Sequence, residues 1–529
     1  MIHLPKEETK LMVAVHGWSG VVLGLLLYAV VFTGMTAVFA SEIGAWSAGH
    51  VETGSAFERP IDRTLRELGS RTPAKYHEGV DLFEIGDHNL GVFFHRHETD
   101  PDGGFVSRGI YYQLDAQGRV AKALNGTAEE VFGPRNDDAL SSFLVDTHVR
   151  LHVPNPWGLL LTGIVGLAML VAAISGLLIH RHLFKDIFTL RANANPVLVD
   201  RDRHSVAGTW SLPFAFLLAF TGSFFSCFGT IGVPIVAMAA FGGDVQALNE
   251  AVFGNPDTPD ARRAAMGNLD RVAGDAARRA GGPPTFLSIE HFGRADAAIT
   301  TFHDPRAGDL EPLTLLYEGA TGRFERAKPS IGTRPSAGGT LAAIMAPMHF
   351  GNFAGLLSKA IWFALGFATC YVTLTGLRLW LVRRAAPGVR SLCWLDRSIS
   401  VVGFGLPFAL LAAAVACLIA MPLGSAVFWT PAGFLIAAGA AVAGGFIAPS
   451  RMVLDRWFLA GMGAIMILLP ALRLLTGGPG WGTAIRAGQP IIVALDIAFL
   501  LAGALVLRRG LASVASPRSA PTPALHPAE

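Results

Sequence analysis

The chain has 529 residues, of which 51% are hydrophobic and only 16% charged, and its formal net charge is +2. That balance excludes an ordinary water-soluble domain and points to an integral membrane protein. It gives no support for a nucleic-acid partner, and none is expected. The four cysteines, Cys227, Cys370, Cys393 and Cys417, all fall in or beside apolar segments, so neither a disulfide framework nor a C-x-x-C metal site is implied.

A helix needs about 20 apolar residues to cross a bilayer. Eight stretches qualify, at about 12–40, 157–180, 206–240 (with room for a bend), 353–382, 399–421, 427–448, 457–475 and 490–507. The first has a charged front and a VFAS sequence that could pass for a cleavage site. It is too long for a signal core and carries a histidine, so a retained span is expected. Lysines and arginines collect at the N-terminus, around 181–203, around 383–397 and at Arg451, Arg456, Arg508 and Arg509. By the positive-inside bias both termini are cytoplasmic.

The expected layout is a first span in 1–40, an external α+β domain in 41–150, and spans two and three with a basic cytoplasmic loop in 151–241. A second external α+β domain in 242–345 and span four in 346–385 complete a repeat. A four-span extension in 386–510 and a disordered cytoplasmic tail in 511–529 follow.

The chain is internally duplicated, a signal worth seeking before any other. His16, Gly20, Phe32, Thr33 and Gly34 match His204, Gly208, Phe220, Thr221 and Gly222 in the pattern H-x3-G-x11-F-T-G. The spans that follow the external segments share H-x-x-N-x-x-G-L-L, with His152, Asn155 and Gly158 in one copy and His349, Asn352 and Gly355 in the other. Further on, Gly166, Ser175 and Gly176 match Gly366, Thr375 and Gly376. YYQLDAQGRVAKA at 111–123 echoes LLYEGATGRFERA at 315–327, each read as two strands about a glycine turn. Both halves start on the same side, so the repeats are parallel, related by an axis along the membrane normal.

That symmetry gives the histidines a geometry. His16 and His204 share one depth, and His152 and His349 share another near the opposite face. Two facing imidazoles at one level of a helical bundle suit a six-coordinate haem, and neighbouring glycines let a flat macrocycle approach the backbone. Zinc fits less well, because two histidines leave a tetrahedral shell incomplete. A lone histidine near a span end is more often an interface residue; a symmetric set of four favours function. His148 lies one helical turn before His152, but the matching residue before His349 is Met345, so His148 is read as a supporting or interface residue. His180 ends span two where the other copy has Trp380, and could replace or support a ligand on that side. Asn352 and Gly355 are candidate supports for the His349 site. In the extension, Arg473 and Asp496 fall at similar depth and are read as an ion pair. His95 and His97 would share one face of a strand, a weak metal signal.

The histidine-led spans, the T-G pairs and the external turns together resemble the PepSY-associated transmembrane family over about residues 10–385. The resemblance implies a bacterial inner-membrane protein with PepSY-like periplasmic domains. Some members resemble ferric-siderophore reductases whose bundle carries b-type haems. On that footing two haems b are expected, with His16, His152, His204 and His349 as axial ligands. The expected acceptor is a ferric-siderophore or other Fe(III) chelate. No G-x-G-x-x-G follows a strand, so the donor is expected to be a quinol or a separate membrane reductase. Two alternatives stay open: a membrane-anchored PepSY module that binds or inhibits a periplasmic protein, and a transporter.

Overall fold

The structure is a computed structural model. It describes residues 5–48, 55–85, 89–99, 105–179, 188–191, 195–254, 259–306, 309–329, 331–384 and 390–512. His180 and the tail from 513 onward lie outside the described residues.

In chain order the chain forms α1 (Lys6–Ala37), α2 (Ala40–Ala48), α3 (Asp62–Arg71), α4 (Ala139–Arg150), α5 (Trp157–Ile179) and α6 (Pro196–Cys227). These are followed by α7 (Leu269–Ala280), α8 (Ala337–Phe350), α9 (Gly355–Arg384), α10 (Arg390–Ala420), α11 (Ala426–Ile447), α12 (Arg451–Leu475) and α13 (Pro490–Leu511). Among the described residues eight helices are long and apolar enough to cross a membrane: α1, α5, α6 with its continuation to Phe241, α9 and α10–α13. The protein is thus a polytopic helical membrane protein. The bend allowed for in the third span is a π turn at Phe228–Gly232 between α6 and a short helix, Val233–Phe241.

Helices α1, α5, α6 and α9 form a closed ring in which α1 and α6 each pack on both α5 and α9. The duplicated glycines at the crossings explain the closeness. A Cβ on Gly166 would lie 2.4 Å from Ser223 Oγ, and one on Gly366 would lie 3.2 Å from Met35 Cβ. A side chain at Gly166 would have to displace Ser223, and one at Gly366 would press on Met35 by a few tenths of an ångström. The two short helices ahead of α5 and α9 dock equivalently, α4 on α1 and α8 on α6.

The polar segments form β1 (Gly79–Glu84), β2 (Leu90–Thr99), β3 (Phe105–Leu114) and β4 (Val120–Thr127), then β5 (Phe286–Glu290), β6 (Ala298–His303), β7 (Leu313–Glu318) and β8 (Phe324–Lys328). The expected hairpins are β3–β4 and β7–β8, turning at Gly118 and Gly322 with φ of 74° and 73°. The segments do not stay apart. They join edge to edge into one antiparallel sheet ordered β4-β3-β2-β1-β5-β6-β7-β8, with Val80 opposite Ile289 and Leu82 opposite Leu287. A single core under α3 and α7 takes Leu65, Val80, Leu82 and Phe94 from the first segment and Leu269, Val272, Leu287 and Ile289 from the second. The physical reason is edge burial: pairing β1 with β5 removes an open edge from each four-stranded unit. The helix starts are tied reciprocally. Leu269 N donates to Asp62 Oδ1 at 3.0 Å, while Ile61 N and Asp62 N donate to Asp270 Oδ1 at 2.6 and 3.0 Å. Because one sheet holds both segments, α1 and α6 must run in the same direction, as parallel repeats require.

The extension packs as α10 against α11 and α12, with α13 on α12. It packs on α9 of the second repeat, where Leu377 and Leu381 meet Ile399, and its polar ties go to the first repeat. Asn136 Nδ2 donates to the Met421 carbonyl at 2.9 Å, and Ala426 N donates to Asn136 Oδ1 at 2.8 Å. Arg473 and Asp496 are both fully buried, with Nη2–Oδ2 at 2.7 Å. Trp46 Nε1 and Trp481 Nε1 donate to the two Asp496 oxygens at 2.7 and 2.8 Å. A carboxylate so fully satisfied ties α2 to α12 and α13 and is structural.

Candidate functional site

Four imidazoles line the interior of the ring at two depths. On the side of the termini, His16 of α1 and His204 of α6 stand with ring centroids 6.3 Å apart. On the side of the sheet, His148 of α4 and His349 of α8 stand 6.1 Å apart. Two imidazoles bound end-on to one metal ion, with bonds of roughly 2 Å, would hold their centroids about 6 Å apart. Among the described residues no cluster of three or more His, Cys, Asp and Glu side chains could hold a metal ion. The chain therefore offers two ligands per level.

Each ring rests on a helical glycine. A Cβ would come 3.2 Å from His16 Cε1 at Gly176 and 3.0 Å from His204 Cε1 at Gly376. The values are 2.7 Å from His148 Cε1 at Gly34 and 3.2 Å from His349 Cε1 at Gly222. These are the glycines that the duplication marked. A helical side chain covers the turn N-terminal to its own Cα, so a glycine uncovers the carbonyl four residues earlier. Three of the rings use that carbonyl. His16 Nδ1–H donates to Ala172 O, His204 Nδ1–H to Val372 O and His148 Nδ1–H to Val30 O, each at 3.0 Å. Ser175 Oγ and Thr375 Oγ1 stand 3.3 Å from the His16 and His204 Nδ1 atoms. The fourth ring differs: His349 Nδ1 meets Thr221 Oγ1 at 2.8 Å. That hydroxyl already donates to Leu217 O at 2.8 Å, so it accepts from the imidazole. In all four rings a proton on Nδ1 leaves the Nε2 lone pair available. A partner that fixes tautomer and ring orientation in this way is what metal-ligating histidines have.

His152 is not opposite His349. It sits in the connector between α4 and α5 with φ of 58° and folds back onto α4. There its Nε2 meets Thr147 Oγ1 at 2.7 Å and its Nδ1 meets Asp146 Oδ2 at 3.2 Å, while its ring stacks on Phe143 with centroids 4.7 Å apart. Both nitrogens are engaged locally, and the residue that faces His349 is His148. The sequence held a signal for this. Gly176 precedes Gly376 by 200 positions, and the helix ends Arg150 and Phe350 keep that step, which brings His148 within one position of His349. The H-x-x-N pattern instead imposes a step of 197. Asn155 and Asn352 are both exposed. Gly158 packs its Cα face against Val153 O and Arg150 O, serving the turn.

A cavity of about 820 Å³ surrounds the His16–His204 pair. Gly20 and Gly208 line it. A Cβ on Gly20 would meet nothing within 4 Å, and one on Gly208 only Val372, at 3.7 Å. In the sheet, His95 and His97 do share a face, with centroids 5.2 Å apart. His95 Nε2 bonds Asp81 Oδ2 at 3.1 Å, and burial, followed by the neighbouring His95, lowers the pKa of His97 below its usual value.

The description "PepSY-associated TM region" matches residues 13–383. The chain belongs to the PepSY-associated transmembrane family. It is also 28% identical over 392 residues to the uncharacterised protein PA4219 of Pseudomonas aeruginosa, a match covering 69% of this chain and 93% of that one. The family region takes in both histidine pairs and the whole sheet, and it ends within α9. The extension α10–α13 lies beyond it.

Proposed function

We propose that this PepSY-associated transmembrane protein is an electron carrier that holds two haems b. His16 and His204 ligate one; His148 and His349 ligate the other. The observation that carries this reading is the repeated imidazole seat: ring spacing of 6.3 and 6.1 Å, a glycine under every ring, and Nδ1 committed so that Nε2 is left for the metal. The cavity of about 820 Å³ at the first pair suits a flat, largely apolar group. A haem held by these imidazole pairs would supply a one-electron couple suited to outer-sphere transfer rather than oxygen activation.

The chain's part is to hold the four rings rigid. Nδ1–H bonds fix the imidazole planes, and tight helix crossings at Gly166 and Gly366 resist rotation of α5 and α9. Eighteen residues of α1 separate His16 from Gly34, the seat of His148; that is about 27 Å of helix, close to the hydrocarbon thickness. The two sites thus lie toward opposite faces of the bilayer. In the reading that follows, the protein sits in a bacterial inner membrane with both termini cytoplasmic. It takes electrons from a quinol or a membrane reductase and delivers them to a periplasmic ferric-siderophore or other Fe(III) chelate. A purely anchoring role for the spans gives no reason for four seated imidazoles.

The test is the absorption spectrum of the full-length protein purified after expression with ample haem supply. A low-spin Soret band with two haems per chain is expected; a protein that carries none would sink the proposal.

A further inference from the structure

The cavity at His16 and His204 is chemically two-ended. Its deep walls are apolar, with Leu27, Met169 and Ala215, and its mouth carries Lys10, Arg191, Arg201, Arg383 and Arg384. Some of these cations are already engaged: Arg191 and Arg201 lie 2.6 and 3.7 Å from Asp202, and Lys10 lies 2.8 Å from Glu7. Arg383 and Arg384 form no ion pair among the described residues. The Arg384 guanidinium lies over the Trp380 ring at 4.2 Å, and Trp18 stands edge-on to that ring at 5.9 Å. Trp380 also lines the cavity, and its buried Nε1 has no hydrogen-bond partner among the described residues. An indole N–H can only donate, and a guanidinium is suited to forked recognition of a carboxylate. Two adjacent cations and a donor without a partner thus meet at the mouth of an apolar slot.

We propose that Trp380 Nε1–H, Arg383 and Arg384 bind a carboxylate side chain of the macrocycle held between His16 and His204. This rests on the two-haem reading and adds an orientation to it. The carboxylate edge faces the basic mouth, where water and cations solvate it, and the apolar edge points toward the middle of the bilayer. The same arginines could instead pair with anionic lipid headgroups, so the test separates the two sources of negative charge.

Haem-free full-length protein in detergent is titrated with haem and, separately, with haem dimethyl ester, which has the same iron and ring but no ionisable carboxylates. At least one of the two equivalents should prefer haem by about ten-fold or more, the scale of one charge-assisted hydrogen bond. Trp380→Phe, which keeps the ring and removes the donor, and the double variant Arg383→Gln/Arg384→Gln should each shrink that preference several-fold. Ester binding should be unchanged and serves as the control for folding. If the ester and haem bind alike to the unsubstituted protein, or if the substitutions leave the preference intact, this inference is overturned while the two-haem reading stands. That is the pattern expected if the arginines serve lipid alone. If neither compound binds, both fall together.

Discussion

The two histidine levels are built from the same duplicated parts, yet only one of them is symmetric. At the terminal-side level, both rings come from continuous helices of the ring, both rest on a glycine, and both donate to the carbonyl one turn before it, at 3.0 Å. At the sheet-side level, the rings come from the short helices α4 and α8. His148 takes the Val30 carbonyl, whereas His349 takes the Thr221 hydroxyl. The supports differ too: α4 is gripped by the extension through Asn136 and packs on α10 and α11, and α8 packs on α6. A duplication guarantees symmetric placement only while the chain between the matched residues keeps one register. In α1 and α6 the helix keeps it. Between α4 and α5 the connector runs from Leu151 to Pro156, but between α8 and α9 only from Gly351 to Ala354, and inside it the H-x-x-N motif departs from the step of 200 that the helix ends and Gly176/Gly376 keep on either side.

The widest separation between the levels comes from replacing histidines. On the two-haem proposal, His148→Ala should abolish the sheet-side haem, one of the two equivalents, and leave the terminal-side haem spectrally intact. His152→Ala should keep both, because its ring nitrogens are used by Thr147 and Asp146. Haem-to-protein stoichiometry reads the difference. Loss of an equivalent from His152→Ala with retention in His148→Ala would restore the pairing that the H-x-x-N pattern suggests.

A smaller contrast tests the seats. An alanine at Gly34 brings a methyl to 2.7 Å from His148 Cε1, and one at Gly176 brings it only to 3.2 Å from His16 Cε1. The first must displace the ring; the second asks a few tenths of an ångström. Gly34→Ala should therefore weaken or shift the sheet-side haem strongly, and Gly176→Ala should perturb the terminal-side one mildly, as read in midpoint potential and low-spin fraction. The Thr221 hydroxyl offers a finer cut. Thr221→Val should lower affinity at the sheet-side level about ten-fold, the low end for losing a ligand's supporting hydrogen bond. Thr33→Val should have a smaller effect, because the Thr33 hydroxyl reaches His148 only indirectly, through the Val30 carbonyl that both groups use.

Much of this was legible in the sequence, for reasons that also mark the limits. Spans follow from apolar length alone, which is why all eight match helices of the structure. Hairpins at 111–123 and 315–327 follow from turn glycines. The glycines of the T-G pairs and Gly176 with its counterpart Gly376 stand out by repetition, although their work, uncovering a backbone carbonyl for an imidazole, is invisible without the neighbouring helix. The union of two polar segments into one sheet was not legible, because strand pairing between β1 and β5 leaves no local trace beyond alternation. Nor was the seat of His148. Its partner carbonyl belongs to Val30, and any residue has a carbonyl.

Outside the membrane the symmetry returns, and a last, small effect should follow it. Asp62 and Asp270 cap each other's helices across the two repeats. Burial raises the pKa of Asp62, but hydrogen bonds from Arg66 and the Leu269 amide outweigh it, so the net shift is downward. A carboxyl whose pKa is lower in the folded state contributes stability above its unfolded pKa, about 3.9. That contribution is lost as pH falls through the folded value. Asp62→Asn keeps an oxygen for the Leu269 amide and removes the charge that faces Arg66, a guanidinium 2.8 Å away and 42% exposed. At neutral pH the variant should lose about 0.2–1 kcal/mol, the range for a partly exposed, solvent-screened pair. Near pH 3 the gap should narrow, because the unsubstituted carboxyl is then being neutralised too. Denaturant titrations at the two pH values, followed through hydrogen exchange of β1 and β5, measure it. A gap that persists unchanged into acid would mean that the side chain acts there by shape alone, and that the reciprocal caps of the sheet owe nothing to charge.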